Sequence, residues 1–228
     1  MTDNKDEPGD KIHFVYEDPQ FSSRSSAAYA LRRLGNAFVR HRFSDDELTS
    51  LANWATSTAQ KLERSEPRSR PSDYFERRYS DPRPVDGSEV IAFSDRTFSG
   101  PANPMGVEVE IKRDGETVVG RVIFGAAFES APGRTHGGAV SALVDDTMGY
   151  LMIVLGEAAY TARLEVDYRG GVPIDVPVWF QAWVSKRDGR KLVVNLTVSP
   201  DNGGVPDRSA DPLITAEGLF IIPSASSS

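Results

Sequence analysis

The sequence predicts an α+β domain, a long helix laid on an antiparallel β-sheet, with a helical extension ahead of it. Three observations carry this. Residues 137–155 are largely apolar and free of proline, and they are long enough for about five helical turns. Four segments after that stretch alternate apolar and polar residues with a period of two. Residues 22–62 instead carry apolar residues at helical spacing.

Taken in order, residues 1–21 are polar, contain Gly and Pro, and are expected to form a mobile tail. Residues 22–64 form the helical extension. Ala28, Leu31, Leu34, Phe38 and Val39 mark a first helix, and Ser44-Asp45-Asp46-Glu47 is a capping-box start for a second. Leu48, Leu51, Ala55 and Leu62 follow on one side of that second helix. Such a pair cannot bury its apolar stripe alone, so it must pack on the main domain or on a partner. Residues 65–88, with Pro67, Pro71, Pro82 and Pro84, read as a linker or extended crossing.

The main domain spans residues 89–223. Val107, Val109 and Ile111 alternate with polar residues up to a hairpin turn at Asp114-Gly115, and 118–128 is the return strand. After the central helix, Ala162, Leu164, Val166 and Tyr168 alternate with Arg163, Glu165, Asp167 and Arg169. Strands at 176–186, 191–199 and 213–222 complete the set, the first of them ending at the turn Asp188-Gly189. Residues 224–228 are expected as a second disordered tail.

Composition bounds the function. The 228 residues carry a net charge of −7 with scattered basic residues. Nucleic acid is therefore not expected as a partner, because phosphate binding needs concentrated positive charge. The absence of cysteine removes disulfides, thiolate metal ligands and a thiol nucleophile. The three histidines, His13, His41 and His136, lack ligand-like spacing, so no metal site is expected. No Gly-x-Ser-x-Gly elbow, Walker loop or dinucleotide fingerprint occurs. The charged start of the chain lacks a signal-peptide apolar core, and the longest apolar run, 148–155, falls short of a bilayer span. A soluble, cytoplasmic protein is expected.

The chemistry concentrates at one place. His136-Gly137-Gly138 opens the central helix, where unpaired N–H groups and partial positive charge suit a developing oxyanion. Asp145 lies mid-helix, where an acidic residue among apolar ones is costly to bury. Gly138, Ser141, Ala142, Gly149 and Met152 share its stripe. This small-residue side leaves room for a ligand. Val140, Leu143, Val144, Thr147, Met148, Leu151 and Leu155 form the side that packs on the sheet. Asp146, about 100° away on the wheel, reads as a salt-bridged or solvated neighbour.

This run resembles the PaaI-like thioesterases of the hot-dog superfamily, whose mark is His-Gly-Gly, six residues and an acidic residue. Thr161 sits where that family often brings a hydroxyl. Phe128-Glu129-Ser130-Ala131-Pro132-Gly133 resembles its lead-in, and Ser99-Gly100-Pro101-Ala102-Asn103-Pro104 resembles the Gly-x-x-Asn-Pro run of actinobacterial-type members. The resemblance covers about residues 89–223. It implies a hot-dog fold, a sheet wrapped around the central helix. It also implies hydrolysis of acyl-CoA to free acid and CoA, of the kind used in fatty acid metabolism, with no cofactor beyond the CoA of the substrate.

On that resemblance Asp145 acts as general base or nucleophile. The Gly137 N–H, joined by Gly138, holds the oxyanion. Thr161 orients Asp145 or a water, and His136 lies beside the thioester. Ser141 and Arg169 are substrate-side residues, Arg169 toward a CoA phosphate. The resemblance leaves CoA and an acyl-carrier protein both open as the acyl carrier, and it implies a site between subunits of a homodimer or dimer of dimers. Two departures stand out. Glu129, Ser130 and Arg134 occupy the stretch where relatives carry an Asn or Gln. Regular alternation also turns Thr161 away from Leu164, so reaching Asp145 requires a strand end or a bulge. Two other readings stay open: a hot-dog enoyl-thioester hydratase, and a non-catalytic acyl-CoA or acyl-carrier binder.

Overall fold

The computed structural model describes residues 12–70, 79 and 82–224. Its elements are β1 (Ile12–Phe14), α1 (Phe21–Arg40), α2 (Asp45–Leu62), β2 (Glu89–Ile91), β3 (Glu108–Asp114) and β4 (Thr117–Ile123). A 3-10 turn (Ala126–Phe128) leads to α3 (Gly137–Leu155), which is followed by β5 (Tyr160–Tyr168), β6 (Pro177–Asp188), β7 (Lys191–Pro200) and β8 (Ile214–Ile221). The strands form one sheet in the order β1-β2-β3-β4-β6-β7-β8-β5. It is antiparallel throughout except for the parallel β1–β2 pair, so the sheet is mixed.

α3 contacts β4, β6, β7, β8 and β5, five neighbouring strands. Five flat strands would span roughly 19 Å, wider than a helix of about 10–12 Å. The sheet must therefore curl around the helix, which is the predicted hot-dog arrangement. Alternate residues supply the inner face: Val118 and Val122 of β4, Val178, Phe180 and Ala182 of β6, Leu192, Val194, Leu196 and Val198 of β7. Val140, Leu143, Val144, Thr147, Met148 and Leu151 of α3 meet them. At Gly218 of β8 the helix comes closest. A Cβ there would lie 2.7 Å from Met148 Sδ and 2.9 Å from Phe220 Cε2, so a side chain at this position would have to displace both.

Five expectations are corrected. By length and composition alone, α3 is long and apolar enough to cross a bilayer, although the run 148–155 is not. Its apolar residues are instead buried against the sheet. Met152, placed on the small-residue stripe, is buried too, as are Tyr150, Ile153 and Val154, with Tyr150 covered by Arg96 and Ser99 of the loop before β3. The return strand ends at Ile123 rather than 128. The chain turns there into a 3-10 turn closed by the Phe128 N–H on Gly125 O (3.0 Å), and Asn36 of α1 occupies the space beside Gly125 and accepts the Ala127 N–H at 2.9 Å, taking the amide the turn leaves free. Residues 12–21 are ordered rather than tail-like: β1 adds to β2, and Asp18 accepts from Ser94 Oγ (2.6 Å) and the Gln20 N–H (2.9 Å). The expected linker contributes contacts as well, with Arg70 within 3.1 Å of Asp95 and Ser88 Oγ donating to Val85 O at 2.6 Å. Residues 1–11 and 225–228 of the expected tails, and 71–78, 80 and 81 of the expected linker, lie outside the described residues.

The extension docks through polar groups. α1 buries Ala28 alone. Beside it Arg32 donates to Pro101 O (3.0 Å) and Asn103 O (2.8 Å), Asn36 holds the 3-10 turn, and Arg40 pairs with Asp175. These three residues recur every four positions, one stripe of the helix. α2 starts at the predicted capping box, Ser44 with Glu47, and buries no residue.

Candidate active site

α3 begins at the His-Gly-Gly. His136 is the N-cap, and its Nδ1 accepts the Gly138 N–H at 3.0 Å. The imidazole proton then resides on Nε2, which is exposed with the rest of the ring. The Gly138 N–H, expected as a second oxyanion donor, is thus taken by the cap. No acceptor among the described residues takes the Gly137 N–H. That leaves one free donor at the positive end of a 19-residue helix.

Two turns on, Asp145 is half-buried. Thr161 Oγ1 donates to its Oδ1 at 2.8 Å. The contact exists because β5 carries an irregularity against β8 between Thr161 and Arg163. One extra residue there reverses the parity of the strand, so Thr161 joins Leu164, Val166 and Tyr168 on the helix side. Strand alternation alone had turned it away.

Tyr168, at the other end of β5, closes the set that alternates with polar residues in the sequence. Here its ring lies over Gly137, whose added Cβ would sit 3.2 Å from Tyr168 Cε1. Its hydroxyl donates to Gly137 O at 2.8 Å and bonds Ser141 Oγ. Ser141 is thereby engaged within the chain. Beside Tyr168 opens a cleft of about 340 Å³, lined by Arg134, Thr135, Val140, Arg169 and Val172 among others. Arg169 faces it while its Nε donates to Thr215 Oγ1 at 3.2 Å. Glu129, in the place of the missing Asn or Gln, instead accepts the Gly133 N–H at 2.6 Å and closes the turn before Thr135.

Asp146 points elsewhere. It pairs with Arg96 and accepts from Ser99 N (3.2 Å) and Ser99 Oγ, while Ser99 Oγ lies 3.1 Å from Tyr150 OH. Arg96 stacks on the Tyr150 ring, 4.6 Å from its centre. Burial alone would lower the guanidinium pKa, but Asp146 and Tyr150 beside it raise it above its ordinary value. The Tyr150 hydroxyl is pushed up, chiefly by its burial. Asp146 is therefore a structural salt bridge that ties the loop before β3 to α3. Within that loop a Cβ on Gly100 would lie 2.2 Å from Arg96 N, and Asn103 Nδ2 donates to Thr97 O at 2.9 Å. These contacts show what the Gly-x-x-Asn-Pro run does. Among the described residues, no three His, Asp or Glu side chains converge as a metal site.

Parts of this chain are similar to known proteins. Residues 132–206 match the sequence profile of the Thioesterase superfamily. Acyl-coenzyme A thioesterase THEM4 of Xenopus laevis is 34% identical over 74 residues, which are 32% of this chain and 33% of that protein. Acyl-coenzyme A thioesterase THEM5 of Homo sapiens is 28% identical over 71 residues, 31% of this chain and 29% of that one. The chain thus spans about a third of the length of these relatives. The crystal structure of a thioesterase superfamily protein, 24% identical, superposes with a TM-score of 0.71 over 87% of this chain and 90% of that chain.

Proposed function

From the premise that this chain carries a thioesterase-superfamily domain of hot-dog fold, we propose that it hydrolyses acyl-CoA thioesters to the free acid and CoA. The observation that carries this reading is the pairing of Asp145 with Thr161 at 2.8 Å on the helix whose first N–H, at Gly137, is free. Thr161 fixes one carboxylate oxygen. The other is left to take a proton from water or to attack the thioester carbon. As the carbonyl becomes tetrahedral its oxygen gains charge, and the Gly137 N–H at the helix terminus stabilises that charge by about 3 kcal/mol. His136, held by its cap, presents Nε2–H beside the same point. The CoA thiolate then departs and takes up the proton from Asp145 or solvent; the water route leaves the free acid directly, and the nucleophilic route leaves an acyl anhydride on Asp145 that a water hydrolyses to the acid. CoA chemistry comes from the relatives' names, since those proteins are called acyl-coenzyme A thioesterases. Carriage of the acyl group by a carrier protein and pairing of two copies around the site belong to the same proposal.

Thiol release from short, medium, long and aromatic acyl-CoAs, wild type beside Asp145→Ala, tests it. Release that disappears in the variant supports the reading. Tight acyl-CoA binding without release from CoA or carrier-protein thioesters overturns it in favour of a binder. An absorbance change on enoyl-CoA without thiol release overturns it in favour of a hydratase.

A further inference from the structure

We propose that Tyr168 is a positioning residue for this site, setting the helix terminus that carries the Gly137 donor. The proposal rests on the thioesterase reading for its kinetic consequence but not for its geometry.

The first turn of α3 is the weakest part of the helix by composition. Gly137 and Gly138 stand side by side, and glycine loses more backbone freedom on ordering than any other residue. A free N–H on such a pair is a poor oxyanion donor unless something holds it, because preorganisation is what makes such a donor effective. Two side chains hold this one. His136 fixes Gly138 through its N–H. Tyr168 fixes Gly137 from the other side: its ring packs on the Cα, and its hydroxyl donates to Gly137 O at 2.8 Å. A phenol has one proton to give. With that proton on Gly137 O, it is Ser141 Oγ that donates to the Tyr168 oxygen.

Gly137, Ser141 and Asp145 recur every four residues, so they form one line along α3. β5 grips that line at both ends, with Thr161 on Asp145 and Tyr168 on Gly137 and Ser141. Thr161 and Tyr168 are seven residues apart, an odd spacing that places them on opposite faces of a regular strand. The bulge between Thr161 and Arg163 brings both to the helix. One strand therefore touches both the carboxylate and the helix terminus, eight residues and about 12 Å apart along α3, and the bulge is what lets Thr161 join Tyr168 on that side.

Tyr168→Phe tests the proposal, because it keeps the ring and removes only the hydroxyl. Two readouts are taken: steady-state kinetics on the best acyl-CoA, and amide hydrogen exchange across the first turn of α3. The expected result is a kcat lower by on the order of tenfold with KM within twofold. Faster exchange is expected at Ser141, whose N–H in helical register bonds to Gly137 O. Ser141→Ala, which removes one of the two hydroxyl contacts, should give a smaller change in the same direction. Unchanged kcat and unchanged exchange in Tyr168→Phe overturn the proposal. An unchanged kcat with faster exchange overturns it too, since the hydroxyl then orders the helix without serving the reaction. If wild type releases no thiol from any acyl-CoA while Tyr168→Phe still speeds exchange, the thioesterase reading fails and the clamp survives without its kinetic role.

Discussion

Asp145 and Thr161 make a falsifiable pair at the level of single side chains. Asp145→Ala should lower turnover by about 10²–10⁴, the usual contribution of a general base. Because Asp145 is half-buried and, among the described residues, bonded to Thr161 alone, the variant should melt within a few degrees of wild type. Thiol release and thermal denaturation on one preparation check both statements. Thr161→Val removes a hydrogen bond to a charged acceptor, worth about 1.5–3 kcal/mol, so a loss of roughly 10- to 100-fold is expected in kcat. Thr161→Ser should restore most of it. Both residues were legible in the sequence, Asp145 as the acid on the small-residue stripe of an apolar helix and Thr161 by resemblance. Tyr168 was not, because an aromatic at the end of an alternating strand looks like core. The bulge, which periodicity cannot show, turns Thr161 to the face that Tyr168 already shares with Leu164 and Val166.

Between elements, the salt bridge of Asp146 with Arg96 joins the loop before β3 to α3. Their side chains are 12% and 15% exposed, so removing one partner strands a charge away from water. Arg96→Met should cost about 3–5 kcal/mol in urea unfolding, whereas the double variant Arg96→Met/Asp146→Leu should recover much of that loss. Glu89 of β2 gives an opposite case. Burial first, then nearby Glu110, holds its carboxyl above the usual range, with Lys112 offsetting part of the effect. A raised carboxyl favours the folded state while protonated. That contribution is complete below the unfolded value near 4.5 and is lost as pH rises through the folded value. Glu89→Gln should therefore raise the melting temperature by about 1–3 °C at pH 7 and leave it unchanged at pH 4. Calorimetry at the two pH values decides. The strands after the helix matched their sequence pattern closely because alternation and turn residues mark them at both ends. The return strand of the first hairpin did not, because it ends in a 3-10 turn whose free amide is taken by Asn36, a residue distant in sequence.

At the scale of the molecule, β5 lies at the end of the sheet order and pairs only with β8 among the described residues. Nine residues of unpaired edge next to the candidate site are a template for a second copy. Light scattering is expected to give twice the chain mass, and a monomeric mass would count against a shared site. The extension has its own consequence. Its docking helix grips main-chain atoms: Arg32 takes the carbonyls of Pro101 and Asn103, and Asn36 takes the Ala127 amide. Apart from the Arg40–Asp175 ion pair, this lock reads backbone, which leaves its two halves with unequal freedom to drift. Arg32 and Asn36 are irreplaceable in kind. Pro101 and Ala127 can change identity as long as the chain keeps its path, so divergence across descendants of this protein should be tolerated in the keyhole and punished in the key.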